Sequence, residues 1–260
     1  MINSFMKNSF KKLYININII FILVWIIIWW IISLTVDSFF MPSPFETFKI
    51  LTKLLVESTT YIIVGMTIIR IVIGLFSALL LGIILGIFSA SNKIIFRFLQ
   101  PIMVAVKSTP VASFIIIAMV YMNIIYVPIF CGFLLCLPII YYNVIEGMEV
   151  IDKEMISMAL LYKVPKKRLI MKIYIPSIMP YINAALLTAV GICWKGTIAA
   201  EVIGVVKNSI GYKIYNAKVY LETGELFSWT IIIITCSMII ESIIKGIIRK
   251  SKYYKGMKVI

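Results

Sequence analysis

The chain has 260 residues, of which 62% are hydrophobic and only 14% charged, and its formal net charge is +14 with no histidine. Apolar residues make up roughly half of a soluble domain, so this composition excludes an ordinary soluble protein and describes a polytopic membrane chain. So large a charge would point to nucleic acid in a soluble protein, but here lysines and arginines flank apolar runs, which the positive-inside rule accounts for with no nucleic-acid partner.

The absence of histidine removes His-based catalysis, His metal ligation and His pH switches. Cys131, Cys136, Cys193 and Cys236 lie inside apolar stretches at spacings unlike a zinc site or a disulfide framework, and read as small buried hydrophobes. No metal site is expected.

Lys7, Lys11 and Lys12 precede an apolar run over residues 13–36. The run is longer than a signal-peptide core and lacks a small-residue cleavage site, so it reads as a retained first span with a cytoplasmic start. Residues 37–58 form an external segment in which Pro42 and Pro44 break the chain before a short amphipathic helix. The second span, 59–90, exceeds the roughly 20 residues needed to cross and is expected to tilt or project. Within it Gly74, Ala78, Gly82 and Gly86 recur every fourth residue, a flat stripe for close helix packing.

Lys93 and Arg97 mark a cytoplasmic turn. The third span, 101–122, contains Pro110, which implies a kink whose freed backbone groups face protein or water. A short external turn at Asn123 leads to the fourth span, 124–144. The fifth, 177–203, is the most polar, with Asn183, Thr188, Lys195 and Glu201, and residues 204–225 are external and expected to hold a short helix at the pore mouth. The sixth span is 227–248, followed by a basic tail, Arg249, Lys250, Lys252, Lys255 and Lys258. With both termini inside, about seventeen basic residues fall on the cytoplasmic side and about five outside. The reading is one all-α membrane domain over 1–260 with six transmembrane helices.

Residues 151–176 are the one long polar stretch between apolar blocks. Asp152 is a good N-cap, Glu154 adds negative charge to a first turn, and Met155, Met158, Ala159 and Tyr162 fall on one helical face. Lys163 and Val164 break that helix. Pro165 suits the first position of a second, with Leu169, Ile170 and Ile173 apolar and Lys166, Lys167 and Arg168 polar. Pro176 and Pro180 mark the next boundary. The result is a helix pair with an apolar face and a basic rim, shaped to dock a partner.

Ser157-Met158-Ala159, then Lys163, then Ile173-Tyr174-Ile175-Pro176 is similar in spacing to the cytoplasmic loop of ABC importer permeases, whose pattern is Glu-Ala-Ala, three residues, Gly, nine residues, Ile-x-Leu-Pro. Ser157 stands at the family's Glu, Met158 at an Ala, Ile175 at the Leu and Lys163 at the turn Gly. A lysine in a left-handed turn costs roughly 1 kcal/mol relative to glycine. Met41-Pro42-Ser43-Pro44, Lys107-Ser108-Thr109-Pro110-Val111-Ala112 and Trp194-Lys195-Gly196-Thr197-Ile198-Ala199-Ala200-Glu201 also resemble the permeases grouped with nitrate, sulfonate and taurine uptake.

That resemblance implies the type I ABC importer permease fold in a bacterial inner membrane, and a chain that is not itself an enzyme. Two permease copies pair as a homodimer in the bilayer, and an extracytoplasmic binding protein delivers a small anionic solute. ABC ATPase subunits carry the ATP and Mg, so this chain needs no cofactor. It implies ATPase coupling through Asp152, Met155, Ser157, Met158, Ala159, Tyr162, Lys163 and Pro176. Charged residues within spans mark candidate translocation paths, here Arg70, Lys107, Lys195 and Glu201, and a cationic path suits an anion. A gradient-driven secondary transporter is the alternative; it predicts paired ionisable groups near the midplane and two related halves, neither of which the sequence shows. An intramembrane enzyme lacks a nucleophile with its base.

Overall fold

The structure, a computed structural model, describes residues 20–37 and 39–250. Lys7, Lys11, Lys12, the first part of the first expected span and Lys252, Lys255 and Lys258 lie outside the described residues. The described residues are helical, with no strand. In chain order the helices are α1 (Ile20–Thr35), α2 (Pro44–Val56), α3 (Ser58–Ser91), α4 (Lys93–Ser108), α5 (Val111–Tyr121), α6 (Val127–Glu149), α7 (Lys153–Leu161), α8 (Lys166–Leu169), α9 (Ile175–Ile203), α10 (Ile210–Val219) and α11 (Thr223–Lys250). A five-residue π turn, Ile170–Tyr174, joins α8 to α9.

Four helices are long and apolar enough to cross a membrane: α3, α6, the continuous run Lys166–Ile203 and α11. The pair α4 and α5 passes the same test only when taken together, and it is bent by 106° where a single kinked span was expected. Pro110 explains the break. It offers no N–H and forces the residue before it out of the helical region, and Thr109 is accordingly extended at φ −78° and ψ 134°. The Ser108 and Thr109 hydroxyls fold back on the helix end, donating to the carbonyls of Val104 and Ala105. The fourth expected span also shifts, starting at Val127 and running on to Glu149.

The core is a three-helix sandwich of α3, α6 and α9, closed around Ile71, Ala78, Cys136, Ile140, Ala189 and Trp194. The small-residue stripe makes it possible. A Cβ on Gly74 would stand 2.8 Å from the Ile129 carbonyl oxygen and 3.2 Å from the Phe133 nitrogen, so here α3 meets the backbone of α6 directly. Gly82 and Gly86 face the Ile140 and Val144 side chains further along. Such backbone approach gains the van der Waals contact that drives helix association in lipid. At one end of the bundle α2 and α10 pack on α3 and α11 around Leu51, Leu54, Ile210 and Trp229. At the other end lie α7 and α8.

The outward sides of α3 and α11 are apolar and uncovered, with Val72, Phe76, Leu80, Ile234, Met238 and Ile243 exposed. A belt of this kind belongs against hydrocarbon. The run Lys166–Ile203 is 38 residues, or about 57 Å of helix, nearly twice the hydrocarbon thickness. It joins α8 to α9 in one continuous helical run.

Candidate functional site

The helix pair begins as its residues require. Asp152 caps α7 by accepting from the Glu154 N–H at 2.8 Å, and Glu154 adds negative charge at the positive end of the helix. The Ser157 hydroxyl turns inward on its own helix, donating to the Lys153 carbonyl at 2.8 Å. At the other end the Val164 N–H donates to the Ala159 carbonyl and the Lys163 N–H to the Leu160 carbonyl, both at 2.9 Å. This is a Schellman closure with Lys163 at its left-handed position, φ 51°. The lysine therefore adopts the turn that glycine makes more cheaply.

Met155, Met158 and Tyr162 are 50%, 58% and 80% exposed, and Ala159 is half-buried between them. No residue of α7 is buried. Lys153, Lys163, Lys166, Lys167 and Arg168 are exposed around that apolar surface. Pro176 sits in the first turn of α9, just past the π turn. It has no N–H to return to the Lys172 carbonyl, and a wider π turn accommodates the vacancy.

The four charged residues singled out within the spans go to three different places. Arg70 of α3 and Glu201 of α9 face each other: Nη1 donates to Oε1 at 2.9 Å, with side chains 6% and 0% exposed. The Thr67 hydroxyl, one turn before Arg70, lies 3.0 Å from both carboxylate oxygens and donates to them. The Gly211 N–H donates to Oε2 at 3.3 Å, the Ile210 N–H donates to the Thr67 hydroxyl at 3.1 Å, and Arg70 reaches the Asn208 carbonyl at 3.4 Å. Each residue of this buried cluster has a hydrogen-bond partner within it, which is what makes a buried charge tolerable. Arg70 thus offers no free charge to a passing solute.

The cluster pins the start of α10 to the end of α9. Gly211 is essential to that approach, since a Cβ there would press on the Glu201 Cβ and stand 2.6 Å from the Val202 nitrogen. The connecting loop is strained, with Val205 at φ 50° and Asn208 at φ 55°. Positive φ is a true outlier for a β-branched residue. The Val206 N–H to the Glu201 carbonyl, 3.0 Å, holds Val205 in place.

Lys107 ends α4 with its ammonium 6.0 Å from the centre of the Tyr142 ring. Lys195 lies in the last third of α9 on an uncovered face shared with Ala184, Thr188 and Ile192. Among the described residues the ion pairs are Arg70–Glu201 and Lys245–Glu241, so neither lysine has a carboxylate partner. An ionised lysine on a face at bilayer depth belongs against water or protein, not lipid. Cys131, Cys136 and Cys193 are buried and Cys236 half-buried, all as free thiols.

The sequence reading missed Thr67, Gly211 and the carbonyl of Asn208, partners that complete the buried cluster. Thr67 was open to inference, since it precedes Arg70 by three residues and shares its helix face. Gly211 and Asn208 carry no such local signal. Glu146 and Asn143, which border the space beside Lys107, were passed over as the end of a span.

Comparison with known proteins agrees with this architecture. Over 149 residues the chain is 32% identical to the nitrate import permease protein of Synechococcus elongatus, covering 57% of this chain and 53% of that one. It is 25% identical over 111 residues to the putative aliphatic sulfonates transport permease protein of Bacillus subtilis, 43% of this chain and 40% of that one. Against the taurine transport system permease protein of Escherichia coli it is 20% identical over 237 residues, 85% of this chain and 82% of that one. The chain thus spans about half the length of the first curated relatives it matches. Residues 78–252, which hold the second part of α3 and all of α4 through α11, match the family described as binding-protein-dependent transport system inner membrane component. With that match over more than half of its length, and with a bundle of apolar spans bearing an exposed helix pair, the chain belongs to this family of membrane-spanning transport permeases.

Proposed function

We propose that the chain is the permease subunit of an ATP-driven importer for a small solute carrying an acidic group, delivered by an extracytoplasmic binding protein. The observation that carries the reading is α7. Its Met155, Met158, Ala159 and Tyr162 surface is apolar, ringed by cations and uncovered, and it lies on the far side of the bundle from α2 and α10. An ATPase subunit fits that surface, receiving the apolar face in a cleft and the basic rim on its acidic edges. ATP and Mg bind on that partner, and this chain contributes no catalytic group. The rigid run from α8 into α9 makes the lever: displacement of α7 and α8 at the ATPase moves the α9 span.

The uncovered α9 face with Thr188 and Lys195 is the wall of the path, completed by a second copy of the chain as a homodimer. Lys195 attracts the acidic group of the solute in a low-dielectric channel. The relatives above are named for nitrate, aliphatic sulfonates and taurine, each of which is an anion or carries an anionic group. Arg70 and Glu201 hold the α10 mouth in place. In this orientation α7, α8 and both termini are cytoplasmic in a bacterial inner membrane, and α2 and α10 face outward.

The test is co-expression with the cognate ATPase subunit, comparing the intact chain with one whose residues 152–172 are replaced by a polar linker. Co-purification of ATPase activity with the intact chain alone is expected. Equal failure of two demonstrably folded chains to retain the ATPase would overturn the reading in favour of gradient-driven transport.

A further inference from the structure

Beside the break at Pro110 the last turn of α4 stands off from α6, and a cavity of about 760 Å³ opens between them. That is ample for a small organic solute. Val104 and Ile139 make its apolar side, and Lys107, Tyr142, Asn143 and Glu146 its polar side. The two charges differ in sign and do not pair with each other: the ion pairs among the described residues lie elsewhere.

Their arrangement is set by the helices. The Lys107 ammonium is 6.0 Å from the Tyr142 ring centre, and Glu146 lies one turn further along the same face of α6, about 6 Å in rise. Asn143 spends its amide nitrogen on the Ile139 carbonyl at 2.8 Å, which leaves its carboxamide oxygen as an acceptor. The cavity is therefore lined by a cation at Lys107 and by acceptors at Asn143 and Glu146 that do not pair with it. An inorganic anion satisfies only the first and meets a repelling carboxylate at the second.

We propose that this cavity is a solute site for a small zwitterion, holding a sulfonate or carboxylate at Lys107 and an ammonium between Glu146 and the Asn143 oxygen. Each end then makes a charge-assisted hydrogen bond that neither makes alone. The inference rests on the transport reading and narrows its solute from acidic compounds in general to amino acids or aminosulfonates. Glu146 is the residue that selects against plain anions.

The test reads binding, not transport. Ser108, which also borders the cavity, is replaced as Ser108→Cys in a Cys236→Ala background, where the remaining cysteines are buried. The full chain is placed in nanodiscs with and without its ATPase subunit, and the labelling rate by a hydrophilic maleimide is followed against taurine, ethanesulfonate and ethylammonium. Taurine is expected to protect at a concentration about tenfold lower than ethanesulfonate, the worth of one added charge-assisted hydrogen bond. Glu146→Gln should erase that difference, weakening taurine and improving ethanesulfonate as the repelling carboxylate is lost, and Glu146→Asp should restore it in part. Lys107→Gln should abolish protection by ethanesulfonate.

Equal protection by taurine and ethanesulfonate would overturn the proposal in favour of an anion site. Labelling indifferent to all three, at Ser108→Cys and at a second reporter, Val104→Cys, in monodisperse protein, would overturn it altogether. Loss of ATPase co-purification with taurine protection intact would instead sink the importer reading and spare the site.

Discussion

Arg70 and Glu201, 131 residues apart in the chain, meet at 2.9 Å in a space almost sealed from solvent. The carboxylate accepts in addition from Thr67 and Gly211, so this pair joins α3, α9 and α10 at a single point. Removing one charge leaves the other buried without its counterion, which typically costs about 3–5 kcal/mol. Arg70→Met alone should therefore lower the thermal midpoint of the detergent-purified chain sharply. Arg70→Met with Glu201→Gln should recover much of the loss, because no net charge then remains buried. If the double variant is no more stable than either single one, the pair is not the tie described here.

Gly211→Ala tests the contact by volume rather than charge. Alanine inside a helix ordinarily gains about 0.5–1 kcal/mol over glycine. Here its methyl group would meet Glu201 and Val202, and overpacking of this kind costs about 1–3 kcal/mol. A net destabilisation is expected, with faster amide exchange in α10 than in α6. A stabilised variant would mean that α10 yields freely.

Ala159→Glu places an unpaired carboxylate in the centre of the α7 apolar face. Burying it at an interface should weaken ATPase binding by at least about 2 kcal/mol, or roughly thirtyfold. Membrane insertion and thermal stability should be unchanged, since no residue of α7 is buried in the chain itself. Pull-down of the ATPase together with a melting curve separates the two effects; normal uptake in this variant would count heavily against the docking assignment.

Lys163 holds φ 51° with a side chain that favours negative φ. Lys163→Gly should relieve roughly 1 kcal/mol of local strain and Lys163→Val should add to it. Amide exchange at Val164, whose N–H closes the turn on Ala159, should slow in the first variant and quicken in the second. The opposite order would show that the turn is not under strain.

Gly74→Val would drive a side chain into the α6 backbone at Ile129 and Phe133. Neither backbone atom can move without shifting α6 as a whole. Loss of monodisperse protein is expected, whereas Gly65→Val, with open space around its Cβ, should be tolerated. Size-exclusion profiles of the two variants make the comparison.

Much of this protein is legible along the chain. Composition alone assigns it to the membrane, and apolar runs of sufficient length locate α3, α6, α9 and α11 because a span is a local property of some twenty residues. The α7 and α8 pair was equally readable, since capping, helical periodicity and proline position all act within a few residues. Only the tertiary structure decided what the charges do. Whether Arg70 faces a path or a partner depends on the rotation of α3 about its axis and the register of α9 against it, and no pattern within either helix encodes both. The same holds for the 106° turn after Ser108, which proline permits but neighbouring helices direct. The cavity that Lys107 and Glu146 both line follows from that turn.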